Sequence, residues 1–263
     1  MTWEKKKVLI TVKAYPEKSK KYGTVVCTAG LTEGGEWIRL YPLPFSSFIG
    51  NGISRYDWIE ILCKRSTKEK LKRKESYKVK SGSIKVIDST LRNHKEKWEL
   101  RNRRILKNVA PSLEYLQESF KNDKTSLGLI KPVELIDFYK TDELRIYEEK
   151  SWFQQTLDGK KTPVLQEIPH IFKYKFKCDG CIDNIHDIQC EDWELLESYR
   201  KWGPKYDDVK VLWEKIYEKY FKWMKKRDLY FYVGTYSLYP TWLIIGLYYP
   251  PIRKEKNLLD WIA

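Results

Sequence analysis

Apolar and polar positions alternate with a period of two along much of the first 90 residues, the pattern of half-buried strands. Residues 7–13 are rich in β-branched side chains and predict a strand, and residues 23–29 predict a second, closed by Gly30. A basic loop, 15–21, joins them. Glu33-Gly34-Gly35 signals a turn. In residues 36–42, Trp37, Arg39 and Tyr41 face one way and Ile38 and Leu40 the other. Residues 24–42 therefore predict an antiparallel hairpin. Residues 57–64 and 83–88 predict two further strands.

The period then changes. Ser89-Thr90 can cap a helix over 91–108, and Ser112 can start another running to about residue 121. Residues 126–132 predict a strand ending at a proline, 133–139 a strand, 143–155 a helix, 158–161 a turn and 171–176 a strand. Over 206–226, Val209, Leu212, Trp213, Ile216, Tyr217, Tyr220, Phe221 and Met224 recur at three-four spacing opposite a Lys/Glu face. That stripe predicts a helix packed on a core. Strands at 229–233 and 242–249 complete the chain. There is no internal repeat and no long linker. Hairpin strands with separate helices predict an α+β fold built on an antiparallel or mixed sheet, with a barrel-like arrangement as one form of it. Residues 1–263 are expected to form a single α+β domain, with a Cys/His-containing helical subdomain at about 165–227.

Composition narrows the class. The 263 residues are 42% hydrophobic and 15% aromatic, enough for a sizeable core and too apolar for wholesale disorder. Mean hydropathy is −0.61, and no apolar run approaches the roughly 18 residues of a membrane helix. The first residues lack a secretory apolar segment, and five cysteines are an odd number, against a secreted disulfide framework. The expectation is a soluble, cytoplasmic protein. Cys27 and Cys63 lie in apolar strand segments and are expected to be buried.

Charge narrows the partner. The net charge is +14. Residues 64–107 carry 17 Lys/Arg against five Asp/Glu, a net +12 in a sixth of the chain. A localised excess of this size is the footprint of a polyanion site. Lys68, Lys70, Lys72, Arg73 and Lys74 form one run, and Arg101, Arg103 and Arg104 form a compact arginine group suited to phosphate and guanine contacts. The 11 Trp, 19 Tyr and 9 Phe supply stacking faces. Residues 64–80 lack an apolar helical face, so nucleic acid, DNA ahead of RNA, is expected rather than a membrane surface. The bland alternative is a solvated lysine-rich surface.

Three constellations could carry chemistry. Cys178-x2-Cys181-x4-His186, with Cys190 four residues further, offers donors for structural zinc; the alternative is no metal, and a redox dithiol lacks its βαβ context. Glu36, Arg39 and Tyr41, with Lys13 and Asp57, could line a pocket at one end of the sheet. There Tyr41 would stack a base, Glu36 or Asp57 would act as acid/base, and Lys13 and Arg39 would hold the strand. Otherwise they are surface residues of a solvated face. Asp137 with Glu148-Glu149-Lys150 has the letters of a metal-dependent nuclease. His94-Lys95-Glu96 begins a zinc-deaminase signature but lies far from the cysteines, and Lys177 stands where that signature has proline. No Walker loop, Gly-x-Gly-x-x-Gly or Gly-x-Ser-x-Gly occurs.

Several segments are familiar together: Cys27-Thr28-Ala29-Gly30 with Glu36-Trp37-Ile38-Arg39-Leu40-Tyr41-Pro42; Ser126-Leu127-Gly128-Leu129-Ile130-Lys131-Pro132; and Cys178/Cys181/His186 with Asp192-Trp193-Glu194. The ending Val233-Gly234-Thr235 and Trp242-Leu243-Ile244-Ile245-Gly246 fits too. Over nearly its whole length the chain resembles a widespread family of uncharacterised prokaryotic proteins. The resemblance implies a bacterial or archaeal, intracellular, single-domain protein and carries over no activity. The expected function is DNA processing in repair or antiviral defence. Glycosylase-like excision of a modified base leads, since it needs one carboxylate and no catalytic metal. The alternatives are a non-catalytic PUA-like or OB-like reader of modified DNA or RNA, and a metal-dependent nuclease.

Overall fold

A computed structural model describes residues 2–19, 22–49, 52–66, 72–92, 97–141, 168–181, 184–236 and 240–252. Its first seven strands are β1 (Glu4–Lys13), β2 (Glu17–Ser19), β3 (Gly23–Thr32), β4 (Trp37–Pro44), β5 (Trp58–Arg65), β6 (Ser76–Val79) and β7 (Lys85–Asp88). β1 pairs antiparallel with β3, β3 with β4, and β4 parallel with β6. β6 pairs antiparallel with β5, which returns antiparallel to β1. Five strands thus close a barrel. β2 flanks β3 and β7 flanks β5 outside it.

Alternation sorts the side chains. Val8, Ile10, Ile38, Leu40, Ile59, Ile61 and Cys63 form the buried core of the barrel. Burial pushes the Cys63 thiol up to about 11. The intervening Leu9, Val12, Ala29 and Leu31 are buried as well, in a second cluster with Leu127, Leu129, Tyr232, Ile245 and Tyr248. The outer face of β1 and β3 is therefore covered, which explains why β1 is continuously apolar from Val8 to Ile10.

The covering half contains α1 (Trp98–Ile105), β8 (Val109–Ala110), α2 (Leu113–Asp123), β9 (Leu127–Ile130), β10 (Pro132–Thr141), β11 (Ile171–Cys178) and β12 (His186–Gln189). It continues with α3 (Trp193–Trp202), α4 (Val209–Tyr217), β13 (Tyr230–Thr235) and β14 (Trp242–Tyr248). β14-β13-β9-β8 form one mixed sheet and β10-β11-β12 an antiparallel one. Between sheets and helices lies a third core containing Phe138, Phe172, Tyr174, Phe176, Tyr220 and Phe231. Mixed sheets, a closed barrel and packed helices make the fold α+β, as expected.

Two helices differ from expectation. α1 begins at Trp98, not after Ser89-Thr90. Asp88 takes the Thr90 amide and hydroxyl, forming a turn that leaves no cap. The long helix is α4 followed by a π segment, Glu218–Trp223, and a 3-10 turn, Met224–Lys226. The Tyr174 hydroxyl donates to the Tyr220 carbonyl at 2.6 Å inside that segment. The helix expected at 143–155, the turn at 158–161, His94-Lys95-Glu96 and Glu148-Glu149-Lys150 lie outside the described residues. Among those described, no helix is long and apolar enough to cross a membrane.

Candidate functional site

The basic stretch is divided by the fold. Arg101 faces inward on α1 and is fully buried. Its Nε donates to the Leu91 carbonyl at 2.8 Å, its Nη2 to the Arg92 carbonyl at 2.9 Å, and its guanidinium lies 4.0 Å from the Tyr56 ring centre. Arg92 pairs through Nε and Nη2 with the buried Asp57 carboxylate, which also accepts the Ser54 amide at 2.8 Å. Arg103, on the opposite face of α1, and Arg104, about one turn on from Arg101, are exposed.

With Lys107, Trp58, Leu91, Leu100, Asp88 and Thr90, those two arginines line a groove of about 520 Å³. The Arg104 guanidinium sits 5.2 Å from the centre of the half-buried Trp58 indole. Arg103 Nε reaches Glu99 at 3.2 Å, an exposed i,i+4 pair of little strength. Three cations beside an indole combine phosphate donors with a stacking face.

The lysine-rich run lies elsewhere. Trp58 opens β5 and Arg65 ends it, so groove and run are separated by roughly 23 Å of strand. Lys68 and Lys70 lie outside the described residues. Lys72 is exposed and Arg73 half-buried, while Lys74 pairs with Asp123 at 2.5 Å. Nearby, half-buried Tyr41 meets Tyr22 edge-on at 6.0 Å and donates to the Ser19 hydroxyl at 3.3 Å. Burial raises the Tyr41 pKa.

Arg39 does not line an open pocket. It is 2% exposed, its Nη2 donates to the Ser126 carbonyl at 2.9 Å, and its Nη1 contacts the Cys27 sulfur at 3.4 Å. Ser126 gives its amide and hydroxyl to buried Glu75 at 2.9 and 2.7 Å. Gly234 leaves room for this: a Cβ there would stand 2.9 Å from Arg39 Nη2. Glu36 is exposed at the β3–β4 turn, where its carboxylate accepts from the Thr32 hydroxyl. Glu36, Tyr41 and Asp57 are thus each held by different local partners, and the structure does not gather them into one pocket.

A second polar junction surrounds Arg55, which sequence reasoning missed. Buried Arg55 reaches Glu194 at 3.2 Å and Asp192 at 3.7 Å, and donates to the Leu247 carbonyl at 2.6 Å. Asp192 caps α3 by accepting the Leu195 amide at 2.9 Å and also accepts the Leu247 amide at 3.0 Å. Burial, with the neighbouring Glu194 charge, pushes the Asp192 carboxyl up to about 6. Glu194 is half-buried and accepts from the Tyr249 hydroxyl at 2.9 Å. Burial works against its charge, yet Arg55, Tyr249 and Lys13 hold its pKa below the ordinary value. Lys13 comes here too: its ammonium lies 4.7 Å from the Trp193 ring centre and 5.8 Å from that of Phe48. Burial and Arg55 lower its pKa.

The cysteine cluster gathers around α2. Cys178 ends β11 and Cys181 lies in the turn after it, at disulfide distance, with Cα atoms 5.3 Å apart. His186 Nε2 lies 3.1 Å from the Cys181 sulfur, 3.4 Å from the Cys178 sulfur and 3.2 Å from Glu114 Oε1. Glu114 Oε2 is 2.8 Å from the Cys181 sulfur. These four donors lie within 4.8 Å of one another and could hold a metal ion. Cys190 is not brought to them. It is fully buried at the end of β12, where its amide donates to the Phe172 carbonyl at 2.8 Å and its backbone bridges Ile244.

Comparison with protein families divides the chain near residue 108. A model described as Domain of unknown function (DUF8758) matches residues 4–107. A second, Domain of unknown function (DUF8757), matches residues 109–262, more than half of the chain, and the chain belongs to that family. No curated protein matches the sequence. The first match spans the barrel with β2, β7 and α1; the second spans the covering half from β8 onward.

Proposed function

We propose that the protein binds nucleic acid, DNA in preference to RNA, through the groove of Arg103, Arg104, Lys107 and Trp58. The single observation carrying this reading is that groove: exposed cations flank an indole on the outside of a closed barrel. The barrel supplies a fold-level analogy, since five-stranded Greek-key barrels of the OB type serve oligonucleotide recognition. With Glu36, Tyr41 and Asp57 apart, the geometry favours the non-catalytic reader over the base-excision enzyme. The test is fluorescence anisotropy with single- and double-stranded DNA and RNA at low and moderate salt. Binding should weaken steeply with salt, and Arg103→Glu/Arg104→Glu should weaken it at least about tenfold. Unchanged affinity in that variant, or no binding at low salt, defeats the reading.

Glycosylase-like hydrolysis in repair or antiviral defence is a second reading, and Glu194 is what favours it. Its half-buried carboxylate stands beside Trp193, Lys13 and Tyr249, where it could stabilise a sugar cation or activate water. Alkali-labile sites formed in modified DNA, and lost in Glu194→Gln, would establish it; intact DNA after long incubation would remove it.

For the cysteine cluster we propose a structural zinc ion. Paired thiols and an imidazole suit zinc better than the magnesium of a strand-cleaving nuclease.

A further inference from the structure

Structural zinc at the cysteine cluster leaves the ligand set open, and the inference here rests on that reading. We infer that zinc is held by Cys178, Cys181, His186 and Glu114, and that Cys190 takes no part. The donors come from the first turn of α2 (Glu114), the last residue of β11 (Cys178), the turn after it (Cys181) and the start of β12 (His186). A tetrahedral ion with bonds of about 2.0–2.3 Å sets its donors roughly 3.3–3.8 Å apart. His186 Nε2 stands 3.1–3.4 Å from three of its neighbours and Glu114 Oε2 2.8 Å from one sulfur and 3.7 Å from the other, while the two sulfurs, at disulfide distance, must be reduced and part to take up that spacing. Two sulfurs, an imidazole and a carboxylate converging on one point are four electron-pair donors. Without metal, Glu114 has only His186 and the Asn184 amide as polar partners beside the sulfurs, whereas a dication meets all four donors.

The environment matches a closed structural site. Cys178 and Cys181 are 2% and 4% exposed, and the His186 and Glu114 side chains 11% and 33%. Four protein donors leave no position for substrate. Zinc binding displaces the two thiol protons to solvent and leaves the imidazole neutral. The ion would pin the start of α2 to the β11–β12 turn. The same helix ends just before Ser126, which meets Arg39 and Glu75, so the centre supports that junction through α2.

The experiment uses full-length protein purified under reducing conditions. Elemental analysis should find one zinc per chain. The cobalt-substituted protein should show a thiolate-to-metal charge-transfer band of two-thiolate, not three-thiolate, intensity, a readout that needs no variant. Cys190→Ala should keep the zinc and this spectrum, while Cys178→Ser should lose both. Glu114→Gln should weaken zinc affinity at least about tenfold in a competition with a chromogenic chelator. A three-thiolate spectrum, loss of zinc in Cys190→Ala, or unchanged affinity in Glu114→Gln would overturn this ligand set while leaving zinc in place. Protein purified this way yet without metal would overturn the zinc reading itself.

Discussion

Arg101 and Arg104 lie three residues apart on α1, yet one is fully buried on backbone carbonyls and the other lies exposed over an indole at the groove. Arg39 and Arg55 belong with the first. They reach Ser126 and Asp192–Glu194 across the boundary between the barrel and its covering half. Arg103 belongs with the second. Identical guanidinium groups are thus split between holding two halves together and facing solvent. What separates them is where each lies along its element and what packs against it, neither of which a charge count registers.

The contrast can be broken by substitution. The largest effect should follow Arg55→Met, which leaves Asp192 and Glu194 without their buried countercharge. A loss of about 3–5 kcal/mol is expected, read as a lower urea midpoint, and a change below about 1 kcal/mol would show that Arg55 is not a tie. Arg39→Met should cost about 1.5–3 kcal/mol with oligonucleotide affinity kept; a selective loss of affinity would move Arg39 into the exposed class. Arg103→Glu/Arg104→Glu should do the reverse. Its stability should stay within about 0.5 kcal/mol, while the logarithmic salt dependence of binding should flatten by about 0.9 for every phosphate that is no longer neutralised.

The smallest effect is one of pH. Asp192 is pushed up to about 6 in the folded chain, above the ordinary carboxylate value, so the native state holds its proton more tightly than the unfolded chain. Its contribution to stability is full below about pH 4 and is lost as the pH rises through 6. Asparagine keeps the cap but cannot titrate. The stability of wild type relative to Asp192→Asn should therefore fall between pH 4 and 6 in paired urea titrations. A flat difference would show that Arg55 keeps Asp192 ionised throughout.

Local pattern made much of the fold legible. Trp37, Arg39 and Tyr41 share a face of β4, as alternation requires; of the predicted helical stripe Leu212, Ile216, Tyr220, Phe221 and Met224 are buried and Trp213 and Tyr217 half-buried, while Val209, expected in the core, is exposed in the first turn of α4. Alternation cannot say what covers a face. Trp37 meets Tyr232 from the covering half at 5.9 Å, which is why Arg39 reads from sequence as a surface cation but is enclosed. The cysteine cluster was half legible. Cys178, Cys181 and His186 are close along the chain, but Glu114 is 64 residues from Cys178 and looks like an ordinary acid in a helix's first turn. Cys190 is near in sequence only. Arg55 carried no signal, because its carboxylate partners are more than 130 residues away.

The shared cluster formed by Leu9, Val12 and Leu31 with Leu127, Tyr232 and Tyr248 has a consequence during synthesis. The barrel strands leave the ribosome first, and their outer apolar face is not fully covered until β13 and β14 emerge. At about 5–20 residues per second, translation from residue 107 to residue 248 occupies on the order of 10 s. Throughout that interval the nascent chain carries an apolar flank covered only in part, by Leu91, Trp98 and Ile105 and then by Leu127 and Leu129 of β9, so that association with other chains competes with its completion.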